Sequence, residues 1–188
     1  MMARAISNAA KARPRCMPNP WVGAVLVSSD GQTFDGFTQE FGSGHAETVC
    51  LNEAGRKAQG ATLYVTLEPC SHSGKTGPCV ERIIESRISR VVIGMKDPDR
   101  QVCGEGIKSL QNAGVDVVVG VLEDLVAEQL APYVHHRNTG RPYVILKIAT
   151  TLDGKVAAPD GSSQWITGAQ ARREGHKLRA YSDAICVG

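Results

Sequence analysis

Residues 62–79 read TLYVTLEPCSHSGKTGPC, a β-rich run that ends in Glu-Pro-Cys, a glycine-containing loop, and a second cysteine. TLYVTL (62–67) suits a buried strand, and Cys79 opens a helix expected from about 79 to 88. The same alternation continues downstream: RVVIGM (90–95), a helix over about 105–113, VDVVVG (115–120), and a helix over about 123–137. Upstream lie an amphipathic helix over 2–13, stopped by Pro14 and the MPNP run, the apolar strand VGAVLVSS (22–29), a DGQ turn that returns the chain, and a helix over 45–58. Strands that alternate with helices predict an α/β fold, with a parallel or mixed sheet covered by helices on its faces.

HRNTGRP (136–142), polar and carrying Gly140 and Pro142, is the expected boundary, which gives a first domain over 1–139. Beyond it the sequence predicts a strand in YVILKIATTLDGKV, a loop, a helix over about 168–181, and a further strand begun in DAICVG. Residues 140–188 are too few for an independent core of this pattern, so they read as a second domain cut off early.

The chain has 188 residues, 21 Lys and Arg against 19 Asp and Glu, and a formal net charge of +2, which gives no electrostatic reason for a nucleic-acid partner. Neither a signal-peptide core nor a membrane-spanning run is present, so the expectation is a cytoplasmic protein without a membrane partner. Six cysteines in such a setting read as buried small hydrophobes or metal ligands rather than as a disulfide framework.

SGHAETVC (43–50) places His45 two residues before Glu47 at the start of a helix. Taken alone, a His-x-Glu at a helix start is ordinarily a capped helix with a surface pair, and two cysteines nine apart are ordinarily unrelated buried thiols. Taken together, one imidazole and two thiolates are the three-ligand set of a catalytic zinc, whose fourth tetrahedral position is left for water. Water acidified by zinc ionises near pH 7, about 7 in favourable cases, and Glu47 can then carry its proton to a leaving amine. Helix N-termini favour negative charge, which helps both Glu47 and Cys79 toward ionised forms. His72 lies two residues from Cys70, but a fourth protein ligand would close the site to water.

HAE followed by EPC has the His-x-Glu…Pro-Cys shape of zinc deaminases, with a longer gap before the second cysteine. The runs PNPWVGAVLV, HAE, GATLYVTLEPCSHSGKTGPC, RVVIGMKDPD, GRPYVILKIATTLDGKVA, SSQWITG and LRAYSDAICVG resemble the bifunctional riboflavin-biosynthesis family, a pyrimidine deaminase followed by a reductase. In that family the long loop between the cysteines is normal and contains a basic residue. The resemblance implies a three-layer α/β/α cytidine-deaminase-like domain with a mixed sheet, followed by the start of a dihydrofolate-reductase-like α/β domain. It implies His45, Cys70 and Cys79 as zinc ligands and Glu47 as the proton shuttle. The implied reaction is hydrolytic deamination of a small-molecule pyrimidine ribosyl phosphate, 2,5-diamino-6-(5-phosphoribosylamino)pyrimidin-4(3H)-one, with the full-length protein then reducing the ribosyl group with NADPH.

By the same resemblance Asn19 contacts the pyrimidine, Lys75 the ribose phosphate, and Asp99 occupies a sugar-phosphate position. Asp99 stands where many members have asparagine, and a carboxylate cannot donate the amide's hydrogen bonds and would repel a phosphate. Thr38 stands where many have a histidine seven residues before the zinc histidine. In the tail, Lys147, Ala149, Ser163, Trp165 and Arg179 match positions around NADPH and substrate in the reductase half, although Trp165 also suits a core and Arg179 a helix end. The incomplete sheet expected of this tail predicts weak or absent NADPH binding, and its apolar surface invites homo-oligomers. Competing readings are a deaminase of another cytosine, nucleoside or flipped base, and a catalytically inactive zinc-binding scaffold. The first should show a basic or aromatic track for a strand, which is missing here, and the second gives Glu47 no purpose.

Overall fold

The computed structural model describes residues 1–72, 77–99 and 102–187. The chain falls into two compact units, Met1–Tyr143 and Val144–Gly188.

The first unit is built on a five-stranded mixed sheet of order β2-β1-β3-β4-β5. Its strands are β1 (Gly23–Val27), β2 (Thr33–Phe37), β3 (Thr62–Leu67), β4 (Arg90–Met95) and β5 (Asp116–Val119). The DGQ turn makes β1 and β2 an antiparallel hairpin, β1 also runs antiparallel to β3, and β3, β4 and β5 are parallel. The register aligns Val25, Tyr64, Val92 and Val118 across the sheet, and places Leu26, Leu63, Val91 and Val117 in the neighbouring row that points to the opposite face.

Helix α1 (Met2–Ala12) and helix α5 (Glu123–Gln129) pack together on one face. Helices α2 (Ala46–Ala54), α3 (Cys79–Glu85) and α4 (Glu105–Asn112) cover the other. In α1 the buried residues Met2, Ala5, Asn8, Ala9 and Ala12 recur at helical spacing, and the alanines let the helix approach the sheet so closely that a Cβ on Gly23 would stand 2.0 Å from the Ala5 carbonyl oxygen. On the opposite face α2 lies so near β2 that a Cβ on Gly36 would stand 2.2 Å from the Ala46 carbonyl oxygen and 2.7 Å from Cys50 Sγ. This close approach fixes the helix whose first turn carries Glu47.

Three expectations need correction. The helix expected over 45–58 is α2 followed by a 3-10 turn, Gly55–Ala58, because Gly55 turns the backbone to a φ of 53°. The helix expected over 123–137 is two helices, α5 and α6 (Ala131–Thr139), since Pro132 has no N–H for the carbonyl one turn back. In the second unit no strand forms among the described residues, either in 143–156 or in DAICVG. A strand needs a hydrogen-bonded neighbour, and this unit offers instead two tight turns, closed by Thr151 N–H to Lys155 O at 2.9 Å and Ala158 N–H to Ser162 O at 2.8 Å, and helix α7 (Ala169–Ala180). Its apolar residues accordingly stay outside: Val144 and Leu146 are each 81% exposed.

Candidate zinc-dependent active site

The site lies at the carboxyl ends of the parallel strands β3 and β4, the usual location for function in an open α/β sheet. His45 is the residue immediately before α2, with extended backbone, so its ring projects from the helix end instead of along its side. Cys70 follows β3 by three residues and Cys79 begins α3. His45 Nδ1 lies 3.3 Å from Cys79 Sγ and 3.6 Å from Cys70 Sγ. All three ligand atoms fall within 4.8 Å of one another. A tetrahedral zinc, with bonds of about 2.0–2.1 Å to nitrogen and about 2.3 Å to sulfur, spaces its ligand atoms roughly 3.5–3.8 Å apart. The trio therefore fits zinc in donor type and in spacing.

The electrostatics favour a thiolate at Cys70. Its sulfur receives hydrogen bonds from the Cys79 thiol and from the Cys79 backbone N–H at 3.4 Å, and His45 adds a further interaction. These bonds hold the Cys70 thiol far below the ordinary range, whereas the same bond to Cys70, together with burial, raises Cys79. His45 is pushed up by its bond to Cys70, against the effect of burial. Glu47 is 3% exposed, and its carboxyl is pushed up to about 7, first by burial and then by the negative Cys70, with His45 pulling the other way. Cys16 and Cys50, buried elsewhere, are raised to about 11 and about 12 by burial, the signature of inert core thiols. Every cysteine is free of disulfide bonds, and Cys103 and Cys186 are exposed.

A pocket of about 160 Å³ is lined by His45, Cys70 and Glu47, and in addition by Asn19, Thr38, His72 and Asp99. Asn19 thus lies in the same cavity as Glu47. Thr38 is buried and accepts the Val22 N–H at 3.1 Å, so it locks the start of β1 to the end of β2. Asp99 pairs with Arg137 of α6, its Oδ2 3.3 Å from Nε. Lys75 lies outside the described residues.

Sequence reasoning passed over four residues of the pocket wall. Glu68, quoted only as part of EPC, is 4% exposed and accepts the backbone N–H groups of Asp97 at 3.2 Å, Gly104 at 3.0 Å and Ile107 at 3.2 Å. Asp97 accepts the Tyr133 hydroxyl at 2.9 Å and the Asp99 N–H at 2.8 Å, and Arg137 stacks over the Tyr133 ring at 5.2 Å. A carboxylate closing the apolar run TLYVTL, two residues before Cys70, was the available signal for Glu68; Tyr133 and Arg137 had none, because α6 is far from the motif in sequence.

The tail residues are arranged differently. Lys147, Ser163, Trp165 and Arg179 are exposed and Ala149 is half-buried. Trp165, 70% exposed, fills no core; the Arg172 guanidinium stacks over it at 4.2 Å.

Comparison with known proteins agrees with this geometry. Residues 1–95 match the cytidine and deoxycytidylate deaminase zinc-binding region, and residues 142–188 match the RibD C-terminal domain. The chain belongs to the cytidine and deoxycytidylate deaminase zinc-binding family. Within it the relatives are RibD proteins: the riboflavin biosynthesis protein RibD of Chlamydia trachomatis is 44% identical over 187 residues, covering 100% of this chain and 50% of that protein. A structure of Acinetobacter baumannii RibD superposes with a TM-score of 0.88 at 44% identity, over 96% of this chain and 51% of that one. The Aspergillus oryzae Rib2 deaminase, a C-terminal deletion mutant in complex with DARIPP, superposes at 0.58 with 30% identity, over 73% of this chain and 91% of its own. The chain spans about half the length of the curated relatives it matches. No helix among the described residues is long and apolar enough to cross a membrane.

Proposed function

We propose that this chain carries out the deaminase step of riboflavin biosynthesis, converting 2,5-diamino-6-(5-phosphoribosylamino)pyrimidin-4(3H)-one to 5-amino-6-(5-phosphoribosylamino)uracil. The observation that carries the reading is the buried Glu47 sharing a pocket wall with His45 and Cys70, whose ligand atoms lie within 4.8 Å of Cys79 Sγ. That a related Rib2 deaminase was crystallised with DARIPP supports the substrate class.

His45, Cys70 and Cys79 would hold zinc, and zinc held there supplies the Lewis acidity that makes water a usable nucleophile near neutral pH. Glu47 moves the protons. A buried carboxyl, whose proton affinity burial raises, accepts a proton as water adds to the ring carbon bearing the amine, and returns it to the nitrogen as the carbon–nitrogen bond breaks and ammonia leaves. Burial keeps Glu47 from exchanging that proton with bulk solvent between the two transfers. Asn19, on the loop before β1, would orient the pyrimidine by hydrogen bonds that an amide can both donate and accept.

The reductase chemistry and its NADPH belong, on this reading, to the full-length relatives. Four of the five matching tail positions are exposed in this chain, so saturable cofactor binding at micromolar concentration is not expected. The deaminase test is direct: zinc-loaded protein incubated with the diaminopyrimidine ribosyl phosphate should release ammonia in step with loss of substrate. Zinc-replete, folded protein that releases none would overturn the proposal.

A further inference from the structure

We infer that Arg137 reads the phosphate of the ribosyl substrate, an inference that rests on the deaminase reading above. Among the described residues that line the pocket, Arg137 is the only lysine or arginine, while Asp97 and Asp99 place two carboxyl groups along the same wall. A phosphate monoester entering that corner meets repulsion unless a cation stands between. Arg137 stands there already: Nε lies 3.3 Å from Asp99 Oδ2, the guanidinium carbon is 5.2 Å from the centre of the Tyr133 ring, and the guanidinium also interacts with the Tyr133 side chain's hydroxyl. Tyr133 is anchored in turn by its hydroxyl bond to Asp97, which also takes the Asp99 N–H.

These contacts use part of the guanidinium's donors. Arginine has five N–H donors in a planar fork, and the pair with Asp99 runs through Nε, at the side of that fork. The terminal nitrogens are suited to two parallel bonds to phosphate oxygens. As a purely structural contact the pair would contribute little: its side chains are 39% and 22% exposed, a setting in which solvent screens an ion pair. The charge relation also accounts for Asp99 at a sugar-phosphate position. Paired with Arg137, Asp99 is a holder of the phosphate-binding cation, and its own charge is offset before substrate arrives.

The test has two arms, both on the zinc-loaded chain. In the first, ribose 5-phosphate and ribose are titrated calorimetrically into wild type, Arg137→Gln and Arg137→Lys. Wild type should bind the phosphate and not the bare sugar, Arg137→Gln should bind it about tenfold or more weakly, and Arg137→Lys should fall between, since a lysine supplies the charge without the fork. In the second, ammonia release is compared for the phosphorylated substrate and its dephosphorylated form, and the preference for the former should fall about tenfold in Arg137→Gln through KM. Equal ribose 5-phosphate affinity in wild type and Arg137→Gln, no binding by wild type at millimolar concentration, or an unchanged preference overturns the inference. Wild type that binds ribose 5-phosphate through Arg137 yet releases no ammonia overturns the deaminase reading and leaves the phosphate site standing. Should Arg137→Gln fail to fold, Arg137→Lys carries the comparison: weaker binding of ribose 5-phosphate than wild type supports the inference, and affinity equal to wild type overturns it.

Discussion

Glu68 accepts the backbone N–H of Gly104 at 3.0 Å, joining the residue two before a zinc-type cysteine to the turn that starts α4. The same carboxylate takes the N–H groups of Asp97 and Ile107, so one side chain ties the end of β3 to both ends of the loop that carries Asp99. The backbones approach closely at this joint: a Cβ on Gly106 would stand 2.2 Å from the Pro69 carbonyl oxygen. The Glu of EPC is therefore the staple between the loop that carries Cys70 and the wall of the pocket.

Replacing Glu68 with alanine strands three amide donors in a place water reaches poorly. Each buried unsatisfied group costs about 1–3 kcal/mol, so a loss of about 3 kcal/mol or more of unfolding free energy is expected in urea titrations of the zinc-loaded protein. Glu68→Gln keeps one accepting oxygen and should lose about half as much. Stability equal to wild type in Glu68→Ala would mean that the three amides find other partners.

Glu47→Gln removes the group that carries protons while preserving shape. Ammonia release should fall by about a hundredfold or more, the range of a lost general acid–base group, with zinc content unchanged. Turnover that survives the substitution would remove Glu47 from the mechanism.

Much of the site was legible because its chemistry is concentrated in two short segments. His45 and Glu47 share one helix start, and Cys70 and Cys79 flank one loop, so residue type and spacing, joined to the His-x-Glu…Pro-Cys shape, suggested that they act together. The β-α alternation was equally readable, since each buried strand announces itself by a run of apolar residues. The break at Leu130 was hidden because an apolar helical period runs on through Pro132, and only the missing proline N–H interrupts it. Asp97, Tyr133 and Arg137 were hidden for another reason: each is an ordinary polar residue in its own segment and gains a role only when α6 closes over the β4 loop. The strands expected in the second unit failed because pairing is a property of neighbours, which a run such as YVILKIA cannot reveal by itself.

Metal binding should depend on cysteine position and not on cysteine number. Cys79→Ser should reduce zinc content well below one per chain and lower the melting temperature, because a ligand that binds only the folded state stabilises it by mass action. Cys16→Ser alters a buried thiol that donates to the Asn19 carbonyl at 3.4 Å, away from the trio, and should keep the metal. Metal analysis alongside thermal melts, with and without chelator, distinguishes the two. A chelator without effect on melting would show that the trio holds no structural share of the folding energy.

Acid stability should carry the mark of Asp35, which receives Arg4 Nε at 2.8 Å and the Asn8 amide at 2.7 Å and so fastens α1 to β2. The bond from Arg4 is the largest influence, and it holds the Asp35 carboxyl below its usual value against a smaller effect of burial. Because the folded-state value is depressed, the unfolded chain takes up the proton first as pH falls. The stabilisation is therefore fully present above the unfolded value, about 3.9, and is lost as pH drops through the lower, folded one. With the side chains 45% and 37% exposed, the contribution should stay under about 1 kcal/mol and shrink in high salt. Urea midpoints measured from pH 6 to pH 2.5 should decline less steeply below pH 4 in Asp35→Asn than in wild type, and parallel curves would show that this pair has no part in the acid transition.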